Sequence, residues 1–586
     1  MSALITEYFV PLLFCGLIFF LLTGIPVAFG LAATGLLFGF IGMEIGLFST
    51  NLFGALPLRV FGIMKNDTLL AIPFFTFMGI ILERSGMAEA LLETVGQVFG
   101  PLRGGLAIAV ILVGALMAAT TGVVAAAVIS MGLISLPIML RYGYNRTIAT
   151  GTITASGTLA QAIPPSLVLI VLADQLGRSV GDMYAGALLP GLLLVALYIV
   201  FIVVVAFVRP QWVPPLPVEA RIYRESNGAS GHVSLVVLLA LCGTAGWGWS
   251  QVHESILNPW LGRELPAPGD EIFIMSMTVA SFLALGLAGI NTLFRTGLLS
   301  RLAERVTFVL IPPLVLIFLV LGTIFLGVAT PTEGGAMGAL GALLMALGRR
   351  KLSGTLLRQA LDSTARLATF VMFILIGSTV FSFTFNAADG HVWVEHLFKG
   401  LPGGQLGFLI VVNLLVFILG MFIDFFEIAF IVIPMLAPVA DKMGIDLVWF
   451  GVIIAMNLQT SFLTPPFGFA LFYLRSVAAK SDYIDRVTNR PIKAVTTAQI
   501  YKGSIAFIVL QLVMVAAIII EPDLVSSGLK KGPEINAEEA LQGMRDAGGT
   551  TMRSRAADAP SGAASGAADD DPMKALLDAL KDDKKK

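Results

Sequence analysis

Asp424 and Glu427 stand in an otherwise apolar run, Gly420-Met421-Phe422-Ile423-Asp424-Phe425-Phe426-Glu427, and their spacing puts both carboxylates on one helical face. Ionisable groups at membrane depth are functional by default, and the competing role is to cap or brace the helix end. A second polar cluster, Asn457, Gln459, Thr460, Ser461 and Thr464, leads into Thr464-Pro465-Pro466-Phe467. A third, Thr154, Ser156, Gly157 and Gln161, leads into Ile163-Pro164-Pro165-Ser166. Proline lacks a backbone donor and clashes with the preceding turn, so a doubled proline opens a helix and leaves carbonyls without partners. Such carbonyls, with Ser, Thr and Asn oxygens beside them, supply the ligands a sodium ion takes without a buried formal charge. Small polar residues also let membrane helices pack closely, and both roles can hold. Ala118-Ala119-Thr120-Thr121-Gly122 interrupts another apolar stretch. It and 420–427 read as tips of helical hairpins, where helix N-termini attract anions and C-terminal carbonyls attract cations.

The chain that positions these groups is built for a bilayer. Of 586 residues, 57% are hydrophobic and 13% charged, against about 45–50% and about 25% in soluble domains. Uncharged runs such as 188–208 and 503–520 are long enough to span. There is no G-x-x-x-x-G-K-[ST] loop, so ATP is not hydrolysed by this chain and an ion gradient must supply the work. His391 and His396 have no Cys or carboxylate cluster to complete a transition-metal site and read as connector residues. Cys15 and Cys242 imply no disulfide framework. The start, MSALITEYFV, lacks the basic region of a cleavable signal. No nucleic-acid partner and no cofactor are expected.

Shifting the sequence by 301 positions aligns Pro137 with Pro438, Gly143 with Gly444 and Pro164-Pro165 with Pro465-Pro466. Upstream the offset drifts, pairing Gly24 with Gly327 and Gly114 with Gly420. Two repeats follow, 1–208 and 301–520, separated by an insert, 209–300. Each reads as two tightly joined helices, a third helix, an amphipathic connector, a hairpin, a Pro-Pro-broken helix and a closing helix. The hairpins fall near 105–140 and 405–440, the broken helices near 147–172 and 447–474. Re-entrant hairpins leave an odd number of spans per half, which inverts the second copy. The fold class expected is therefore all-α and polytopic, with two inverted repeats. Broken helices at matching places in two halves mark the midplane substrate and ion site of a secondary transporter.

Charge sorting fits inversion, because Lys and Arg concentrate in short cytoplasmic loops. Arg141, Arg146, Arg209, Arg221 and Arg224 would lie inside, as would Arg301 to Arg305, Arg349 to Arg358 and Arg475 to Lys502. Segments around 43–65, 172–183 and 441–446 fall outside. The N-terminus and the C-terminal tail are then periplasmic. The insert reads as an extra hairpin, 233–250 and 271–290, that braces a scaffold or contacts another subunit. The tail, 521–586, is poor in large apolar groups and expected to be disordered. In Ala329-Thr330-Pro331-Thr332-Glu333-Gly334-Gly335, Thr332 or Thr330 could cap a helix start whose first turn favours Glu333.

GVATPTEGGAMGAL (327–340), LGMFIDFFEIAFIVIP (419–434), WFGVIIAMNLQTSFLTPPFGFALF (449–472) and TASGTLAQAIPPSL (154–167) resemble the large permease subunit of TRAP, the tripartite ATP-independent periplasmic transporters. The resemblance covers about 8–208 and 306–520. It departs at Asn457-Leu458-Gln459, where the family often has Asn-Leu-Glu. It implies an elevator in the bacterial inner membrane, taking up an organic anion, commonly a carboxylate, driven by sodium. The anion arrives on a periplasmic substrate-binding protein, and a small four-helix membrane subunit extends the scaffold. Carried over, one sodium site uses Thr120, Thr121, Gly122, Ala160, Ile163 and Pro164, and the other Asp424, Ser461, Thr464 and Pro465. Substrate lies near Ser156, Gly157, Asn457 and Gln459. Pro165, Pro466, Thr332, Glu333 and Glu427 are assigned structural or coupling roles. A stand-alone sodium-coupled carboxylate carrier is the alternative; an ion channel or a membrane enzyme fits less well.

Overall fold

Glycines in left-handed turns and side-chain caps divide the apolar sequence into helices. The computed structural model describes residues 2–223, 231–263, 266–399, 402–485 and 487–526. The first run of helices is α1 (Phe9–Leu22), α2 (Val27–Glu44), α3 (Leu56–Met64), α4 (Ala71–Arg84), α5 (Met87–Phe99), α6 (Gly105–Thr121), α7 (Val124–Arg141), α8 (Arg146–Thr158), α9 (Leu167–Gln175) and α10 (Val180–Val208). The insert contributes α11 (His232–Leu261) and α12 (Gly269–Phe294). The second run is α13 (Arg301–Phe325), α14 (Pro331–Gly348), α15 (Gly354–Ala387), α16 (Gly390–Lys399), α17 (Gly404–Leu419), α18 (Phe425–Lys442), α19 (Leu447–Phe462), α20 (Phe469–Val477) and α21 (Thr497–Ile520). The strands β1 (Tyr483–Ile484) and β2 (Pro491–Ile492) form a small antiparallel ladder. Among the described residues eight helices are long and apolar enough to cross a bilayer, or nine if the bent pair Leu52–Met64 and Asp67–Arg84 is one span. The protein is an all-α polytopic membrane protein.

Local signals recur in the two runs. Pro137 lies inside α7 and Pro438 inside α18. Gly143 and Gly444 then turn the chain with φ of +83° and +73°, conformations that cost glycine nothing. Asn145 and Asp446 cap the next helix, accepting from Thr147 N and Trp449 N. Gly24 and Gly327 share φ near that region, +75° and +73°. Gly114 lies within α6 and Gly420 follows the end of α17, yet each lies against a serine of its own half's broken helix: built Cβ atoms would sit 2.5 Å from Ser156 Cβ and 2.7 Å from Ser461 Cβ.

The two runs are interleaved. Helix α2 packs along α15 and α14 along α4, while α8 packs on α21 and α19 on α10. Small residues allow the closest crossings. A Cβ on Gly35 would sit 2.7 Å from the Val380 carbonyl oxygen, and one on Gly151 would strike the Gly503 carbonyl.

Several boundaries differ from the sequence reading. α3 occupies part of the segment read as loop, 43–65, because Pro57 at its start favours helix initiation. α15 begins at Gly354, capped by Ser353, ten residues before its apolar stretch. At the join with α14, Thr330 and not Thr332 forms the capping box with Glu333; Thr332 Oγ1 donates to the Asp67 carbonyl at 2.5 Å. Residues 521–526, read as the start of a disordered tail, pack instead: Asp523–Ser526 is helical and Val525 is buried against Gly186. The remainder of that tail, 527–586, lies outside the described residues.

The insert hairpin is tied across its own two helices at one end and fastened to α13 at the other. Glu271, fully buried, takes two hydrogen bonds from Arg263 Nη1 (2.9 and 2.8 Å) and one contact from His253 Nε2 (3.1 Å). Trp249 Nε1 donates to His253 Nδ1 at 3.2 Å. Indole nitrogen is only a donor, so Nδ1 of His253 accepts from Trp249 while Nε2 faces Glu271. At the opposite end Thr292 and Asn291 donate to Glu304.

Candidate functional site

Each helix break is built by the same deletion of donors. Pro164 and Pro165 cannot serve the carbonyls of Ala160 and Gln161, and Pro465 and Pro466 cannot serve those of Ser461 and Phe462. Both Pro-Pro bonds are cis. Before the first proline pair the chain makes a short 3-10 turn, Leu159–Gln161, and Ser166 Oγ returns 2.9 Å to the Gln161 carbonyl. Before the second, Thr464 N reaches the Ser461 carbonyl at 3.1 Å and Thr464 Oγ1 the Thr460 carbonyl at 2.9 Å.

The first hairpin, α6 and α7, turns at Gly122, with φ of +60°. Thr120 Oγ1 is tied to the Met117 carbonyl at 2.9 Å, and the side chain of Thr121 lies outside the described residues. A Cβ on Gly122 would sit 2.9 Å from Leu167 Cγ, so this tip rests on the start of α9. Gly114 of α6 likewise lies against Ser156. The second hairpin, α17 and α18, turns through 420–424. Asp424 caps α18, accepting from Phe426 N at 3.1 Å, and Glu427 Oε2 accepts from Asp424 N at 3.3 Å. A Cβ on Gly420 would meet Ser461 Cβ at 2.7 Å, so this tip rests on α19.

The candidate residues divide by this geometry. Gly122, Ala160, Ile163, Pro164 and Pro165 are buried in one neighbourhood between α6, α8 and α9. In the other, Gly420 lies against Ser461, which leads into Thr464 and Pro465; Asp424 and Glu427 follow Gly420 in the capping box, and Pro466 accepts from Tyr501 Oη at 3.0 Å. Ser156 faces the first hairpin and Gly157 abuts Val128 of α7. Asn457 Nδ2 donates to the Asn413 carbonyl of α17 at 2.6 Å. Gln459 does not join the tips. Two positions further along the helix, it turns to the opposite face and lies fully buried beside Tyr198 of α10, so the structure moves it out of the group near Ser156 and Asn457.

That environment is a polar cluster the sequence reading missed. Gln511 Nε2 of α21 donates to Tyr198 Oη at 2.7 Å and approaches Thr158 Oγ1 at 3.5 Å. Both Gln459 amide atoms and Gln511 Oε1 are buried without partners. The available signal was Tyr198 and Gln511, each set deep in the apolar run of a closing helix, which polar-group economics marks as paired. Arg141 and Asp485, 3.0 Å apart, were also missed as a pair because they are far apart in sequence.

The helix ends differ electrically. The first turns of α7 and α9 carry no acidic residue, so their positive ends are uncompensated. That of α18 is met by Asp424 and Glu427. The arrangement can hold an anion near one tip and a cation beside the carboxylate of the other. Among the described residues no cluster of His, Cys, Asp and Glu has the makings of a transition-metal centre.

Residues 14–524 match the family described as tripartite ATP-independent periplasmic transporter, DctM component. The C4-dicarboxylate TRAP transporter large permease protein of Pseudomonas aeruginosa is 28% identical, over 74% of this chain and 83% of that protein. An isethionate TRAP transporter permease protein from Oleidesulfovibrio alaskensis is 24% identical, over 81% of this chain and 62% of its own length. The 2,3-diketo-L-gulonate TRAP transporter large permease protein of Escherichia coli is 25% identical, over 70% and 78%. With the family covering nearly the whole described chain, this protein belongs to the DctM component of the tripartite ATP-independent periplasmic transporters.

Proposed function

We propose that this chain is the membrane subunit through which a sodium gradient drives uptake of an organic anion of the carboxylate class. The anion is handed over by a periplasmic binding protein, and a small membrane subunit completes the scaffold. The observation that carries the reading is the pairing of each Pro-Pro break with one hairpin tip, one pair holding Asp424 and the other free of acidic groups. Sodium binds beside Asp424, Ser461, Thr464 and Pro465, and a second ion beside Thr120, Gly122, Ala160, Ile163 and Pro164. The substrate carboxylate lies against the uncompensated helix ends of the first tip, near Ser156 and Gly157, with Asn457 approaching from the second half. The hairpins and broken helices move together past α2, α4, α14 and α15, carrying the site across an inverted pair of repeats in the inner membrane. Both termini lie in the periplasm. The relatives' substrates, C4-dicarboxylates, isethionate and diketogulonate by name, are all small organic anions.

The test is uptake of labelled carboxylates into proteoliposomes holding this chain and its small subunit, with and without the sodium gradient and the binding protein. Uptake requiring both supports the reading. Uptake indifferent to the binding protein replaces it with a stand-alone carrier, and uncoupled flux replaces it with a channel.

A further inference from the structure

The C-terminal ends of α4 and α14 and the N-terminal end of α13 meet at one edge of the helix bundle, so the space between them lies at a membrane surface. A cavity of about 490 Å3 opens there, lined by Glu89 and Glu93 of α5 and by Arg305, Arg349 and Lys351. Among the described residues none of these five side chains forms an ion pair with another. Arg349 is half-buried, and burial together with the neighbouring Arg305 charge lowers its pKa. Its Nη2 donates to the Phe308 carbonyl at 3.4 Å. The Phe308 ring, 39% exposed, and Val309 add an apolar side to the same cavity.

Two guanidiniums and an ammonium held near one another call for an anion with several oxygens, and phosphate fits that demand. A purely anionic ligand would be repelled by Glu89 and Glu93. A free phosphate would leave the exposed Phe308 ring without a partner. A ligand with a phosphate, an ammonium that donates hydrogen bonds, and an apolar body satisfies all of these groups. We propose that this cavity is a binding site for an aminophospholipid of the phosphatidylethanolamine class. Arg305, Arg349 and Lys351 hold the phosphate, Glu89 and Glu93 hold the ammonium, and Phe308 lies along the glycerol end of the acyl chains. The site is independent of the transport reading.

The test is native mass spectrometry of the purified, delipidated full chain, offered equal amounts of dioleoyl phosphatidylethanolamine, phosphatidylcholine and phosphatidylglycerol. The ethanolamine lipid is expected to be retained roughly tenfold over the choline lipid, whose methylated ammonium cannot donate to the carboxylates. The paired change Arg305→Ala and Lys351→Ala should abolish that preference. The paired change Glu89→Gln and Glu93→Gln should lose it and raise retention of phosphatidylglycerol, a gain that misfolding does not produce. Equal retention of all three lipids by the unaltered chain, a preference for phosphatidylglycerol, or an unchanged preference in either variant would overturn the assignment.

Discussion

The two broken helices share a backbone plan and differ in how they are closed. Around the first break every residue from 161 to 170 is buried, whereas around the second Pro466 and Phe467 are exposed. The first tip carries no charge, while the second carries Asp424 and Glu427 in a capping box. What recurs is what the backbone needs, namely the proline pair, the left-handed glycines and the capped helix starts. The side chains around each break differ. The comparison therefore separates residues that build the architecture from those that specialise each half.

The largest expected contrast lies where helices cross behind each break. Gly151 on α8 meets the Gly503 backbone, but Gly451 on α19 meets the ends of flexible side chains, with Met183 Cε 2.7 Å from a built Cβ. Gly151→Ala must push two backbones apart and should cost about 3 kcal/mol. Gly451→Ala needs only the side-chain ends of Met183 and Leu176 to shift, with no backbone in the way, and should cost about 1 kcal/mol. Thermal unfolding of the two purified variants measures the difference, and equal losses would erase the asymmetry between the crossings.

A second contrast sits at the foot of each hairpin. Arg141, at the end of α7, pairs with Asp485, which is 4% exposed; Lys442, at the matching end of α18, pairs with Glu395 but is itself 55% exposed. Asp485 also accepts from Thr488 N and Oγ1, both at 2.7 Å. Partial desolvation pushes its carboxyl up, but the Thr488 hydrogen bonds and the Arg141 guanidinium outweigh it and hold the pKa at about 2. A depressed carboxyl pKa stabilises above the unfolded value of about 3.9 and stops doing so as pH falls through about 2. Asp485→Asn should cost about 2 kcal/mol at neutral pH, a loss that shrinks across that acid window as the unaltered protein loses the same contribution. Lys442→Met should cost about 0.5 kcal/mol and lose even that in high salt. Unfolding midpoints against pH and salt distinguish the two feet.

The helices and the two breaks were legible from residue pattern because proline, glycine and apolar run length act locally. Ser353, which starts α15 well before its apolar stretch, and Pro57, which turns a supposed loop into α3, show where a local cap outweighs hydropathy. The site was legible only as far as its backbone. Thr120, Asp424 and Thr464 are recognisable as polar groups in apolar surroundings, but whether a helical residue faces the tips or the closing helices depends on packing between distant segments. Gln459 is the instructive case. Its neighbour two positions back, Asn457, reaches the second hairpin, while Gln459 faces Tyr198, a residue contributed by a segment far away in sequence.

Asp424 tests whether the carboxylate that caps the second tip also binds the coupling ion. Asparagine caps a helix about as well as aspartate, and alanine loses about 1 kcal/mol. Asp424→Asn should therefore leave stability unchanged, while Asp424→Ala lowers it. If sodium is held there, both variants should raise the sodium concentration for half-maximal uptake about tenfold, equivalent to about 1.4 kcal/mol of lost ion binding. A normal sodium response in Asp424→Asn would leave the residue a cap and nothing more.

The smallest effect should come from the contact that closes the exposed tip. Phe422 of the second hairpin and Phe467 of the Pro-Pro loop are 58% and 46% exposed, yet their rings lie 4.8 Å apart, tilted by 40°. An aromatic pair of this kind contributes about 0.5–1.5 kcal/mol beyond its area, and exposure puts this one at the low end. Among the described residues no aromatic pair closes the first tip, where Gly122 rests directly on Leu167. Phe422→Ala should barely move the unfolding midpoint but should free the second tip to open, raising the rate at which a cysteine placed at Ile423 reacts with a water-soluble thiol reagent. A cysteine placed at Val123 of the first tip should react at an unchanged rate in the same background. A shift at both positions would mean that the hairpins open as one body, and a shift at neither would mean that Gly420 against Ser461, and not the rings, holds the second tip.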